Sequence, residues 1–333
     1  MKALVLHDKG QPLVPEERAE PTASGEEAIV KVYAAALNHR DVWIQKGRYA
    51  GLVYPAIPGS DGAGVVAATG SNSHAHWKGK EVIINPTLNW GASEAHPDMP
   101  HFRILGMPDP GTFAQYVKVP VSCLAEKPAH LSFEAAAALP LAGLTAFRAL
   151  FTRARLKTGE KILITGTGGG VALFALQFAV ASGAKVWVSS GSDEKIAAAM
   201  KLGARAGVNY RNSKWMEQLQ EQAGEFDVII DGTAGDSVNQ LFNLACPGGR
   251  VVFYGSTMGN PSSAEIRRIF WKQLNVLGTT MGSAADFQAM TAFVSKQQIQ
   301  PIIDKIFPFL EGEKAMRRMD EALQFGKIVL KIV

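Results

Sequence analysis

One short stretch constrains this chain more than any other. Residues 162–186 read ILITGTGGGVALFALQFAVASGAKV, an apolar strand running straight into glycines and then into an apolar helix. Glycines let a backbone approach a pyrophosphate closely. The helix N-terminus behind them offers unpaired N–H groups and the positive end of the dipole. The strict G-x-G-x-x-G spacing is not met, because Val171 stands in the sixth position, but Gly166-x-x-Gly169-x-x-Ala172 is a related variant. A glycine cluster alone serves any tight turn. Inside a βαβ unit it predicts a dinucleotide site built on Gly168, Gly169, Gly170 and Val171.

The surrounding sequence supplies such units. Patterning predicts strands over 161–165, 185–189, 206–209, 226–231, 250–254 and 275–280. Helices are expected between them over 170–182, 193–202, 214–222, 236–244 and 263–270. Six strands alternating with five helices imply right-handed crossovers and one doubly wound parallel sheet, an α/β Rossmann-type architecture. The first 120 residues differ. Short alternating runs over 3–7, 28–37, 62–68, 81–85 and 113–119, broken by Gly and Pro, predict a β-rich, barrel-like domain. Residues 86–111 show no period and read as a lobe near an entrance. The tail, 286–333, is expected to hold one or two helices and a last strand over 327–332 that returns to the first domain. The domain division read from the sequence is 1–125 with 283–333, and 126–282.

Composition narrows the function. The chain has 333 residues, 34 of them Lys or Arg and 30 Asp or Glu, for a net charge of +4 with the basic residues scattered. That is not a nucleic-acid footprint. No apolar run approaches the ~18 residues of a membrane span. The opening MKALVLHDKGQPLVPE lacks the apolar core of a signal peptide. The two cysteines, Cys123 and Cys246, cannot build a Cys-rich zinc knuckle. The expectation is a cytoplasmic protein with a small-molecule substrate and neither a membrane nor a nucleic-acid partner.

The end of the second strand of the parallel sheet bears on the cofactor. A site for NAD usually places Asp or Glu there, on the ribose 2′-hydroxyl. Here the strand ends Ser189-Ser190-Gly191. Asp193 and Glu194 follow on the first helical turn, where the dipole favours acids without any cofactor. Lys195 shares that turn, where a cation is disfavoured, and a bound 2′-phosphate would give it a reason. Tyr210 and Arg211 close the third strand at the neighbouring edge. Ser190, Lys195 and Tyr210 therefore favour NADP(H). Turns after later strands, at Asp231-Gly232-Thr233, Tyr254-Gly255-Ser256 and Met281-Gly282-Ser283, are expected to line the ribose and nicotinamide path. They assign Thr233, Gly255, Ser256, Met281 and Gly282 to the cofactor.

The sequence resembles the medium-chain dehydrogenase/reductase superfamily, and within it the zinc-free quinone-oxidoreductase-like branch, over essentially its whole length. The pieces that carry the likeness are AAALNHRDVWIQKGRY, IPGSDGAGVV, GTFAQYVKVP, AAALPLAGLTAFRAL, the glycine turn, GGRVVFYGS and FGKIVLKIV. The resemblance implies a GroES-like catalytic domain beside the Rossmann domain, with Thr145 and Lys327 completing the cofactor set. In the zinc-bearing alcohol dehydrogenases of this superfamily the metal is held by Cys, His or Cys, and a further Cys, sometimes with an adjacent acid. Those positions fall on Asn38, Ser60 and Leu141 here, with Asp61 as the acid. The four-Cys structural lobe falls on residues 89–106, which contain no Cys. Neither zinc is expected.

By the same resemblance Asn38, Asp41 and Tyr49 sit at the substrate mouth. Asn38 is expected to donate to the substrate oxygen, Tyr49 to donate a hydrogen bond or proton, and Asp41 to orient local backbone. His39, next to Asn38, is expected to pack, with proton transfer as the alternative, and Trp90 and Trp271 to form apolar walls or to pack against the core or a partner. The loop histidines His74, His76, His96 and His101 read as solvated. The implied activity is NADPH-dependent reduction of quinones or α,β-unsaturated carbonyls without zinc. The alternatives are a medium-chain alcohol dehydrogenase or carbonyl reductase, and a non-catalytic NADPH-binding protein. The strand over 275–280 is expected to pair with a second copy in a homodimer.

Overall fold

The computed structural model describes residues 1–333. The chain divides into two compact units, one of Met1–Leu144 with Gly282–Val333 and one of Thr145–Met281. No helix is long and apolar enough to cross a membrane.

The unit 145–281 is a six-stranded sheet. Its order is Ala206–Asn209, Lys185–Ser190, Lys161–Ile164, Phe226–Asp231, Ala245–Phe253, Asn275–Gly278. Every neighbouring pair is parallel. In chain order this is 3-2-1-4-5-6, the doubly wound arrangement, with its switch point between Lys161–Ile164 and Phe226–Asp231. The central strands are apolar on both faces because helices cover both: Ile162, Leu163, Ile164, Val228, Ile229 and Ile230 have no exposed surface. The helix Gly170–Ala181 is apolar nearly all round and buries seven of its residues. Ser192 caps the helix Asp193–Lys201 by accepting from the Lys195 N–H.

One expectation in this unit is revised, and a helical stretch that begins in the other unit and runs into it was not anticipated. The helix expected over 263–270 is only Ile266–Trp271, and none of its residues is buried. The helical stretch Pro140–Phe147 and the wider turn Arg148–Arg153 that continues it had no predicted counterpart. Their Ala- and Leu-rich sequence is apolar without a strong period, so pattern alone could not separate helix from strand.

In the other unit a seven-stranded sheet runs Ile303–Pro308, Lys327–Lys331, Glu27–Ala36, Asp61–Thr69, Glu81–Ile84, Leu124–Glu126, and Tyr116–Pro120 also pairs with Glu27–Ala36. The C-terminal strand lies antiparallel to Glu27–Ala36. The first boundary falls at residue 144 and not near 125, because the helix Phe133–Ala137 packs on the strands Glu27–Ala36 and Asp61–Thr69. The core beneath the sheet is formed by Leu4, Leu6, Val30, Leu37, Ile84, Phe113 and Ile328 among others.

Register positions the site. Ala36 pairs with Asp61 on one side and with Val329 on the other. Asn38, two residues beyond Ala36, and Lys327, two residues before Val329, are thereby brought to the same end of three adjacent strands.

Residues 86–111 form a folded lobe. Thr87–Leu88 pairs with Arg103–Ile104. Trp90 is buried and meets Phe102 edge-on, with ring centroids 5.8 Å apart. The backbone at Gly111 lies so close to Gly59 that a Cβ there would stand 2.1 Å from the Gly59 carbonyl oxygen. An aromatic pair and close backbone packing hold this lobe together, and Trp90 packs within it.

Candidate active site and nucleotide turn

Asn38, Asp61 and Lys327 come together as one buried polar cluster, with 7%, 0% and 3% of their surfaces exposed. The Lys327 ammonium donates to Leu37 O at 2.7 Å, to Asn38 Oδ1 at 2.7 Å and to Asp61 Oδ2 at 2.9 Å. The Asn38 Nδ2 donates to the same Asp61 Oδ2 at 2.9 Å. The other carboxylate oxygen, Asp61 Oδ1, accepts from the Leu141 backbone N–H at 2.7 Å. Lys327, assigned from sequence to the cofactor, thus has three N–H bonds committed inside this cluster. Sequence reasoning missed the pairing because Lys327 and Asp61 are 266 residues apart.

These residues do not fit a zinc ion. Zinc sites are built from thiolate, imidazole and carboxylate. Here Asn38 is bonded to an ammonium and a carboxylate, and Leu141 presents only a backbone N–H to Asp61. The Ser60 hydroxyl is also committed, accepting from Arg40 Nη1 at 2.5 Å and donating to Leu105 O at 2.7 Å. The one carboxylate already has its cation in Lys327. The loop histidines do not assemble either: His74 pairs with Glu26 and His101 with Asp98, and His96 lies against the Pro97 carbonyl.

Arg40 was not foreseen as part of the site. Its guanidinium is buried, and beyond Ser60 it donates to Leu105 O at 2.8 Å and Ile104 O at 3.5 Å. Its Nε donates to the Tyr49 hydroxyl at 3.3 Å, and its central carbon lies 4.9 Å from the centre of the Tyr49 ring. Arg can only donate, so the Tyr49 oxygen accepts, which leaves the hydroxyl hydrogen for another partner. The neighbouring His39 has exposed surface, but desolvation of its ring and then the charge of Lys327 hold its pKa below the usual imidazole value.

Asp41 Oδ2 accepts from the Asn38 backbone N–H at 2.8 Å, closing the first turn of the helix His39–Gln45. The other carboxyl oxygen is buried without a partner. Burial pushes the Asp41 pKa up to about 6, against a lowering contribution from Arg40. A raised carboxyl pKa means that the folded protein holds a proton which the unfolded chain has already lost. This group therefore favours folding below its unfolded pKa and less so as pH rises to about 6. Asp41→Asn should gain stability relative to wild type between about pH 3 and 7, by roughly 3 kcal/mol in total. Urea unfolding of both proteins across that range checks this, and a constant difference would refute it.

The nucleotide turn lies in the unit 145–281. Gly166 and Gly168 take φ of +64° and +134°, conformations that glycine adopts freely. A Cβ on Gly168 would strike Lys195 Cδ at 2.8 Å, so the Lys195 side chain lies over the turn. A Cβ on Gly169 would meet no side chain within 4 Å, which keeps that face of the turn clear. Gly170 and Val171 open the helix behind it.

Ser190 braces the turn. Its hydroxyl donates to Thr167 O at 2.9 Å, while the Thr167 N–H donates to Ser189 O at 2.9 Å. The Tyr210 hydroxyl and Arg211 Nε lie close over Gly191, at 2.7 and 3.2 Å from where a Cβ would stand. Tyr210 and Arg211 thus stand over the end of the second strand and Lys195 over the glycine turn that Ser190 braces, and the nearby acids are engaged elsewhere. Asp193 accepts from Asn209 Nδ2 at 3.0 Å and Glu194 from the Ser192 hydroxyl at 2.5 Å.

The remaining cofactor assignments divide. Thr233 donates its N–H and hydroxyl to the buried Asp231, which also accepts from the Thr165 hydroxyl and the Ala234 N–H. Asp231 thereby fixes the loop after the fourth strand. Gly255 lies against the Gly232 carbonyl, and Ser256 is exposed beside it. Thr145 is buried where the unit begins, and Met281 is buried where it ends. Gly282 belongs to the other unit, where a Cβ would strike Leu144 Cδ1 at 2.5 Å, so this glycine serves close packing.

Comparison with known proteins gives a consistent picture. A family model described as "Alcohol dehydrogenase GroES-like domain" matches residues 24–129, and one described as "Zinc-binding dehydrogenase" matches 170–296. The chain is 35% identical to a zinc-type alcohol dehydrogenase-like protein of Leptosphaeria maculans, covering 94% of this chain and 93% of that one. It is 30% identical to the quinone oxidoreductase of Pongo abelii over 92% of this chain and 90% of that one. Among solved structures, an NAD-dependent alcohol dehydrogenase superposes with a TM-score of 0.94 at 34% identity over the full length of both chains.

Proposed function

The chain belongs to the medium-chain dehydrogenase/reductase superfamily, and on that premise we propose that it is an NADPH-dependent reductase of quinones or α,β-unsaturated carbonyls that works without zinc. The observation that carries this reading is that the ligand positions hold Asn38, Ser60 and Leu141, and that Asn38 and the adjacent acid Asp61 are both bonded to the Lys327 ammonium, groups unsuited to the metal. Lacking a Lewis acid, such a site suits acceptors that are electrophilic already. A conjugated carbonyl or quinone needs alignment with the hydride donor and a few hydrogen bonds to the developing oxyanion.

NADPH, when bound, would supply a hydride, which carries both electrons and one of the two hydrogens of the reduction. One further proton completes the reduced product. Asn38, with one Nδ2 hydrogen not committed to Asp61, donates to the acceptor oxygen. Tyr49, its oxygen accepting from Arg40, gives the proton. Asp41 holds the backbone of Asn38 in place. Preference for NADPH rests on the lack of Asp or Glu in Ser189-Ser190-Gly191 at the end of the second strand, with Tyr210 and Arg211 over Gly191 and Lys195 over the neighbouring glycine turn. Likeness to an NAD-dependent alcohol dehydrogenase favours a second reading, oxidation of simple alcohols with NAD.

Following cofactor absorbance over a panel of quinones, enones, simple aldehydes and alcohols tests the proposal. Turnover of quinones or enones with NADPH, undiminished by chelator, is expected. Turnover confined to simple aldehydes or alcohols would refute it, and loss on chelation with recovery on added zinc would favour the second reading.

Assembly as a homodimer is part of the same proposal. The strand Asn275–Gly278 ends the sheet with one edge unpaired, and Val276, Ile266, Phe270 and Trp271 are exposed there or on the adjoining helix, Trp271 by 81%. Pairing of that edge with a second copy would cover them. Light scattering should give twice the chain mass for the wild type and the single chain mass for Val276→Lys. A monomeric wild type would refute the pairing.

A further inference from the structure

We propose that Lys327 is a positioning residue for the reduction, its ammonium orienting and polarising the Asn38 carboxamide that donates to the acceptor oxygen. This rests on the preceding reading that a substrate oxygen is reduced beside Asn38. The only cation bonded within this cluster is the side chain of Lys327, whose three N–H bonds go to Leu37, Asn38 and Asp61.

Asn38 Oδ1 faces the Lys327 ammonium at 2.7 Å and Nδ2 faces the Asp61 carboxylate at 2.9 Å. Turning the amide over would set N–H groups against the ammonium and a carbonyl oxygen against the carboxylate. Both contacts would become repulsive, so the charged pair admits one rotamer of the amide. Asn38 then keeps one Nδ2 hydrogen with no partner within the chain, always on the same side. A neutral pair would leave that choice to weaker hydrogen bonds.

A cation bonded to an amide oxygen draws density from the nitrogen, and its N–H becomes a stronger donor. The effect is largest where water does not screen it. Lys327 is 3% exposed and Asp61 has no exposed surface. Asp61 keeps the ammonium in place, and its other oxygen is tied to the backbone of Leu141. Lys327 thus lends positive charge to the acceptor oxygen through Asn38 without touching it.

Amine rescue provides the test. Lys327→Ala should lower kcat by about 10- to 100-fold, with the NADPH dissociation constant, read by fluorescence, held within about threefold. Methylammonium or ethylammonium chloride should restore at least a tenth of wild-type kcat, whereas tetramethylammonium, which has no N–H, should not. In an Asn38→Ala background the Lys327→Ala change should add less than about threefold, with no amine rescue, because the ammonium acts through Asn38.

Wild-type kcat in Lys327→Ala would overturn the proposal. So would a loss expressed mainly as weaker NADPH binding, or losses that multiply in the double variant. Should Lys327→Ala not fold, the neutral pair Lys327→Met with Asp61→Asn carries the same test without stranding a charge. It is expected to lose kcat by a similar factor, and retained kcat would overturn the idea. The assay uses whichever acceptor the wild type reduces. If quinones and enones fail, the preceding reading falls, and this comparison can still be made with an aldehyde.

Discussion

Asp61→Ala should destabilise the unit formed by residues 1–144 and 282–333 by about 3–5 kcal/mol, the usual cost of removing one partner from a buried ion pair. The reason is what remains behind. Lys327 would keep its ammonium in a place that is 3% exposed, bonded only to the Leu37 carbonyl and the Asn38 amide, and the Leu141 N–H would lose its acceptor. An isolated buried cation is far costlier than a buried pair. Asp61→Asn keeps the shape and should cost less on the acceptor side while still stranding the charge. Lys327→Met combined with Asp61→Asn should be less destabilised than the sum of the single changes, because each single variant contains the unpaired partner. Denaturant unfolding of the four proteins closes the cycle. A cost below 1 kcal/mol for Asp61→Ala, or strict additivity, would mean that water reaches the ammonium.

Lys195→Ala should lower kcat/KM for NADPH by about 10- to 100-fold and leave that for NADH within about twofold. A hydrogen bond to a charged group contributes about 1.5–3 kcal/mol, and 1.4 kcal/mol is a factor of ten. Only NADPH carries the 2′-phosphate, so a lysine that meets this group discriminates between the two cofactors. Lys195 lies over Gly168, one turn of chain from Ser190, and Arg211 stands over Gly191, next to Ser190. Arg211→Ala should therefore show a smaller effect of the same sign. Equal losses with both cofactors would place Lys195 on the shared pyrophosphate and remove the argument for NADPH.

The helix His39–Gln45 shows where sequence context misleads. His39, adjacent to the cluster, keeps exposed surface, whereas Arg40, unremarked in the sequence, is buried and spans Ser60, Leu105 and Tyr49. On the short helix His39–Gln45 successive residues face different directions, about 100° apart. Which of two neighbours turns inward depends on where the strands beneath it lie, and those strands were not predicted in register.

What the amino-acid sequence determined by itself is the parallel sheet and its glycine turn. Strand and helix periods, caps at Ser192 and a helix stop at Gly183 are local properties, decided by residues a few positions apart. The substrate-side cluster was decided only by tertiary structure. Asn38, Asp61 and Lys327 meet because Ala36 pairs with both Asp61 and Val329, and strand register over such distances depends on packing of the whole sheet and not on any local signal. The same holds for the first boundary at residue 144, which follows from the short helix Phe133–Ala137 finding its apolar surface on strands far earlier in the chain.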